Sequence, residues 1–265
     1  MWSLLFRRYD DTLIASLWEA GTAGLLEDDQ GLRAYFADDR TPAELAYLGG
    51  EFGGEAKVVA SDDADWEPIP VGRRLLIVPA SFRGEAPAGR VLLPLETGAA
   101  FGTGRHETTQ LCLEAMERYL KAGDVVLDVG CGSGILGAAA RLLGAREVFS
   151  CDIDEQAIGT ARRQVSTPLF TGSADAVQGE AADLVVANLT APILEALAWD
   201  LKRVARRNGT LLVTGFTRER VPQSFVAECE FEREGWLCWV CRPETMTVAA
   251  PREPLTHAAE WWLSS

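Results

Sequence analysis

The 265-residue chain has two histidines, few basic residues for its acid content, and no long apolar run. Each shortage removes a class of function. No stretch approaches the ~18 apolar residues of a membrane-spanning helix, so no span is expected. The opening Met1-Trp2-Ser3-Leu4-Leu5-Phe6-Arg7-Arg8 has no basic stretch ahead of its short apolar one, unlike a secretory signal, and a cytoplasmic location is expected. The six cysteines include one C-x-x-C, Cys238 and Cys241, with no second pair and no nearby histidine to complete a zinc set, so no metal site is expected. The pair lies in Trp236–Cys241, which reads as a strand. Residues three apart on a strand face opposite sides, so the two sulfurs do not readily share a metal or a disulfide. Reduced, mostly buried cysteines follow.

Lys and Arg total 25 against 39 Asp and Glu, a net charge of −14. An acidic surface repels phosphate backbones and disfavours a nucleic-acid substrate, whereas a basic protein partner suits it. Acidity also serves solubility alone. The 48% apolar content is that of a folded globular chain with a sizeable core.

Four stretches follow along the chain: 1–60, a connector at 61–95, 96–242, and a tail at 243–265. In the first, Trp2–Tyr9 is strand-like, and Leu13, Ile14, Leu17 and Trp18 recur at helical spacing. Strands at Ala23–Glu27 and Leu32–Phe36 flank the turn Asp28-Asp29-Gln30-Gly31. Thr41-Pro42-Ala43-Glu44 reads as a capped helix start running to about Leu48, with a strand near Glu55–Ala60. The order β-α-β-β-α-β predicts a small ferredoxin-like α+β domain. In the connector, Leu75–Pro79 and Val91–Leu95 read as short strands. From 96 onward helices and strands alternate, which predicts an α/β, doubly wound parallel sheet with helices on both faces. Leu255, Ala258, Ala259 and Trp262 in the tail have helical spacing.

The densest local signal is Val126-Leu-Asp128-Val-Gly130-Cys-Gly132-Ser-Gly134-Ile-Leu, a buried strand running through three glycines into a helix. Glycines let a backbone approach a ligand at a helix N-terminus. A dinucleotide fingerprint wants its third glycine at position 135. Here it falls at Gly134, which favours S-adenosylmethionine over NAD. Asp152 stands 22 residues after Gly130 at the end of the next strand, where a carboxylate accepts both ribose hydroxyls. Asp128 is placed to brace the loop; Asp175 lies either near an adenine or in a plain turn. Phe101-Gly-Thr-Gly104-Arg-His106-Glu-Thr-Thr109 precedes a helix, and its small residues and hydroxyls suit the methionine end of the cofactor, although Thr108 and Thr109 also suit helix caps. Asp183-Leu-Val-Val-Ala187-Asn188-Leu189 puts an asparagine at the carboxyl end of a buried strand, where open α/β sheets bind ligands.

Together "FGTGRHETT", "VLDVGCGSGIL", "CDID" and "ANLT" resemble, in order, the PrmA family, the bacterial methyltransferases of large-subunit ribosomal protein L11, over about residues 75–242. The resemblance implies a Rossmann-like methyltransferase sheet and a cofactor site on Thr109, Gly130, Asp152 and Asn188, with Gly132 and Gly134 in the same loop. It implies a small N-terminal domain that captures the ribosomal protein, and transfer of methyl groups to its N-terminal α-amine and lysine ε-amines. Asn188 is the expected residue to orient the amine, and His106 is either a proton acceptor or part of the cofactor lid. The segment before Leu75 is shorter than in the family, the helix after Gly215 looks short, and the tail from Pro243 has no counterpart. A lysine methyltransferase of another protein and a non-catalytic cofactor- or ribosome-binding module are the alternatives.

Overall fold

The computed structural model describes residues 2–22, 24–28, 31–36, positions 43, 44, 47 and 50, and residues 59–60, 67–95 and 104–248. Phe101–Thr103, the strand expected from Glu55 up to Lys57 and Val58, and the tail pattern of Leu255–Trp262 lie outside the described residues. So does most of the helix expected from Thr41 to Leu48, although positions 43, 44, 47 and 50 are helical. The chain divides into two compact units, Met1–Glu67 with Glu96–Phe101, and Pro68–Leu95 with Gly102–Ser265.

In the first unit β1 (Trp2–Phe6), α1 (Asp11–Glu19), β2 (Gly24–Asp28), β3 (Gly31–Phe36) and β4 (Val59–Ala60) follow in order. The sheet order is β2-β3-β1-β4, with each neighbouring pair antiparallel. Alternation puts Leu4 and Phe6 of β1 and Leu32, Ala34 and Phe36 of β3 on one face, where Leu13 and Leu17 of α1 cover them. Asp10 starts α1 by accepting the Leu13 N–H on Oδ1 at 2.9 Å.

The second unit opens with β5 (Ile69–Val71), β6 (Leu75–Pro79) and β7 (Val91–Leu95), a three-stranded sheet of order β5-β6-β7. The strands expected at Leu75–Pro79 and Val91–Leu95 are thus present with those bounds, and these residues cluster with the larger unit. Then come α2 (Glu107–Tyr119), β8 (Val125–Val129), α3 (Ile135–Leu143), β9 (Glu147–Asp152), α4 (Glu155–Gln164), β10 (Leu169–Thr171), β11 (Ala182–Asn188), α5 (Ala191–Val204), β12 (Ala205–Thr217), β13 (Ala227–Arg233) and β14 (Trp236–Cys241). Leu194, Leu197, Ala198 and Leu201 form the stripe of α5 that packs over Val185, Ala187, Leu211 and Val213.

The seven-stranded sheet has the order β10-β9-β8-β11-β12-β14-β13. The first five strands are parallel, and β14 is antiparallel to both β12 and β13. The expectation of a parallel sheet is therefore corrected at one edge. Residues 218–226 form turns rather than a crossover helix. A two-residue turn, Glu234 (φ 48°) and Gly235 (φ 81°), then folds β13 directly back onto β14. Without a crossover the chain can only reverse.

Along β14, Leu237 and Cys241 belong to the α5-side core, while Cys238 meets Cys112 of α2 on the other face. All six cysteines are unpaired, and burial pushes the Cys241 thiol up to about 12. Among the described residues no helix is long and apolar enough to cross a membrane.

Candidate active site

From β8 the chain steps outward to β9 and β10, then returns to β11 and β12 on the other side. The strand order therefore reverses between β8 and β11, the position at which open α/β sheets form their ligand crevice. The turn leaving β8 begins at Gly130 (φ 73°), whose N–H and that of Cys131 both donate to Cys151 O, at 2.9 and 3.0 Å. It ends at Gly134, the left-handed N-cap of α3. A Cβ at Gly130 would lie 2.5 Å from Leu189 Cδ2, so the turns leaving β8 and β11 touch. Leu189 donates its N–H to Thr214 O at 2.9 Å, and a Cβ at Gly215 (φ 103°) would lie 2.3 Å from Leu189 O. Three strand ends thus converge on Leu189, a residue that sequence reasoning passed over. A glycine inside the buried run Leu211–Thr217 was the available signal, since an isolated strand glycine marks a bulge or a close backbone approach. The β12–β14 register does shift between Thr214 and Phe216.

Asp152, at the end of β9, accepts the Gly132 N–H on Oδ2 at 2.9 Å and the Asp154 N–H on Oδ1 at 3.0 Å. Burial raises its pKa, and the two N–H groups oppose the rise. A carboxylate has about four acceptor positions, so each oxygen keeps one for a ligand hydroxyl. Asp152 therefore braces the loop, the task expected of Asp128. Asp128 instead accepts the Gly137 N–H in the first turn of α3, at 3.2 Å on Oδ2, while its buried Oδ1 has no hydrogen-bond partner among the described residues. Beyond Asp152, Gly172 N–H donates to Asp152 O at 2.9 Å, which sets Ser173, Ala174 and the exposed Asp175 beside the acid. Arg203 fixes that turn by donating to Ala174 O, Asp175 O and Val177 O.

Asp128 carries a pH prediction. Desolvation lifts its pKa to about 7, the Gly137 N–H opposes this, and Asp152 adds to it. An unfolded carboxyl titrates near ~4. Between these values the folded state binds more protons, so the contribution is full below about pH 4 and is lost as pH rises through about 7. Asp128→Asn cannot ionise and removes this slope. Its stability relative to wild type should therefore rise by about 2.5 kcal/mol from pH 5 to pH 8. Denaturant titrations at both pH values check this; a constant difference contradicts it.

The segment before α2 lies against the glycine turn, because a Cβ at Gly104 would come 3.2 Å from Ile135 Cδ1. His106, not Thr108 or Thr109, caps α2: its Nδ1 accepts the Thr108 N–H at 3.2 Å and lies 2.8 Å from Thr108 Oγ1. Burial lowers the His106 pKa, with Glu107 opposing. A neutral ring that accepts at Nδ1 carries its hydrogen on Nε2. The ring also meets Trp236 edge-on, centroids 5.0 Å apart. Thr109 is 1% exposed and its Oγ1 has no hydrogen-bond partner among the described residues. Asn188, half-buried at the end of β11, has no side-chain hydrogen bond among the described residues, leaving amide donors and an acceptor for a ligand. The structure thus brings Gly130, Gly132, Gly134, Asp152 and Asn188 to the carboxyl ends of β8, β9 and β11, while Thr109 lies buried in the first turn of α2 with His106 as the cap of that helix. Among the described residues no group of three His, Cys, Asp or Glu is placed to hold a metal ion.

Sheet order, glycine-lined turn and strand-end acid define an α/β protein of the Rossmann-like class. Within it, residues 31–243 match the family model described as "Ribosomal protein L11 methyltransferase (PrmA)", and the chain belongs to that family. It is 40% identical over 184 residues to a ribosomal protein L11 methyltransferase of Prochlorococcus marinus (strain MIT 9303), covering 64% of this chain and 60% of the relative. To that of Dechloromonas aromatica (strain RCB) it is 39% identical over 228 residues, covering 81% and 76%. The crystal structure of a ribosomal protein L11 methylase from Lactobacillus delbrueckii subsp. bulgaricus superposes with a TM-score of 0.60 at 30% identity, covering 67% of this chain and 99% of that one. The chain spans 60% of the length of the Prochlorococcus relative.

Proposed function

We propose that the chain is an S-adenosylmethionine-dependent protein methyltransferase whose substrate is ribosomal protein L11, methylated on amino groups. The observation that supports this reading is the close approach of Leu189, the residue after Asn188, to Gly130 of the glycine-lined turn. The cradle fits the cofactor: Gly130, Gly132 and Gly134 all have positive φ, a turn that glycine adopts without strain, and Thr109 Oγ1 is a buried oxygen with no hydrogen-bond partner among the described residues. Asp152 would hold the ribose, the glycine turn the chain linking ribose to methionine, and Thr109 the methionine end.

When bound, the cofactor supplies a methyl group already activated on a sulfonium. What remains for the protein is positioning and keeping the amine neutral. An α-amine near pKa ~8 is about one-tenth neutral at pH 7, whereas a lysine near ~10.4 is almost wholly charged and must be desolvated first. Asn188 accepts an amine hydrogen and points the nitrogen lone pair along the transfer axis. His106, with Nδ1 engaged by Thr108, serves as a structural cap and lid group, and the amine proton leaves to solvent.

The first unit is the proposed substrate-capture domain. Its split β-α-β connection and β2-β3-β1-β4 order favour a ferredoxin-like fold. Residues 1–58 hold 5 basic and 11 acidic side chains, a charge suited to a basic ribosomal protein. Unpaired cysteines suit the cytoplasm. The test is incubation of the full chain with L11 and methyl-labelled S-adenosylmethionine, followed by mass spectrometry of L11 peptides. Label on the α-amine or on lysines is expected. Label only on another protein would reassign the substrate, and no label on any protein would overturn the enzymatic reading.

A further inference from the structure

The chemistry proposed above makes no use of the β13–β14 hairpin, yet the hairpin tip closes on the segment that carries His106. Arg233, the last residue of β13, donates through Nη1 to Gln110 Oε1 and through Nη2 to Glu114 Oε1, the latter at 2.6 Å. Gln110 then donates through Nε2 to Arg105 O at 2.9 Å. Trp236, the register partner of Arg233 across the hairpin, meets the His106 ring edge-on. Arg105 and His106 are therefore held from two sides, the backbone carbonyl by a guanidinium–amide relay and the ring by an indole. The tight Glu234–Gly235 turn fixes the hairpin end from which both contacts start.

We infer that Arg233 is a positioning residue for methyl transfer: by orienting Gln110, it sets the Arg105–His106 segment that borders the crevice. The inference rests on the methyltransferase reading for its kinetic consequence, though not for its geometry. Gly104, the residue before Arg105, packs against Ile135 at the exit of the glycine turn, so displacement of the segment reaches the cradle directly. A fork-shaped guanidinium is needed, because one side chain must serve the Gln110 amide and the Glu114 carboxylate at once. Lysine, a single point charge, holds the carboxylate but not both. The competing explanation is that Arg233 merely ties β13 to α2 through Glu114.

The experiment compares the full-length chain with Arg233→Lys, Arg233→Ala, Gln110→Ala and Glu114→Ala. Two readouts are used, steady-state kinetics with L11 and NMR of the histidine rings, which number two in the chain and need no turnover to observe. Arg233→Ala, Arg233→Lys and Gln110→Ala should each lower kcat about tenfold and move the His106 signals, with the Arg233→Ala/Gln110→Ala double variant no worse than either single one. Glu114→Ala should leave both readouts near wild type. Equal loss in Glu114→Ala, or unmoved His106 signals in Arg233→Lys and Gln110→Ala, would overturn the inference. If wild type transfers no methyl group while those signals still move, the methyltransferase reading fails and the positioning of His106 stands.

Discussion

Asn188→Ala is expected to lower kcat by roughly ten- to a thousandfold, the range for removing one oriented hydrogen bond at a reacting centre, with a much smaller change in cofactor affinity. Asn188 ends β11, and Leu189 locks the chain behind it through Thr214 O and the space left by Gly215. The backbone should therefore stay in place when the amide is removed. The loss should be larger with a lysine acceptor than with an α-amine, since the lysine depends more on the site to lose its proton. Rates on both acceptors at several pH values test this. Unchanged turnover would exclude Asn188 from catalysis, and a loss confined to cofactor affinity would make it a binding residue.

A second large effect is expected at Asp152. Removal of a charge-assisted pair of ribose hydrogen bonds should weaken S-adenosylmethionine binding by ~1.5–3 kcal/mol in Asp152→Ala. The loss should lie toward the upper end, because the same carboxylate holds the Gly132 N–H and thereby the shape of the cradle. Asp152→Asn keeps an acceptor for Gly132 and should fall between the two. Asp154→Ala, which loses only the cap of α4, should cost about 1 kcal/mol of stability and leave affinity near wild type. Calorimetric titrations rank the four proteins, and equal affinity in Asp152→Ala and wild type would remove the ribose assignment.

How far the sequence led depended on whether a segment's surroundings are dictated by its own residues. β8 and α3 stand where the run from Val126 through Gly134 into Ile135 places a strand and a helix, since a strand apolar but for Asp128, a glycine turn and an apolar-striped helix have one mutual arrangement. β13 was not foreseen. Its Ala227–Arg233 alternates acid and apolar residues on a sheet edge, where side chains face water and the hydrophobic pattern fades. The roles of Asp128 and Asp152 could not be divided by spacing, because both acids end or nearly end adjacent strands and only the register decides which reaches Gly132. Leu189, Gly215 and Arg233 enter the site through contacts between segments 26 or more residues apart, as with Leu189 and Gly215, or over 100 apart, as with Arg233 and Gln110. No local pattern encodes such pairings.

Every chemical role given to these residues requires S-adenosylmethionine in the crevice between β8 and β11. The most direct measurement is a calorimetric titration of the full-length chain with S-adenosylmethionine and, separately, with NAD. Saturable one-to-one binding of S-adenosylmethionine in the micromolar range, abolished or strongly weakened in Asp152→Ala, is the expected result. Tighter binding of NAD, or no binding of S-adenosylmethionine by folded protein, would contradict it.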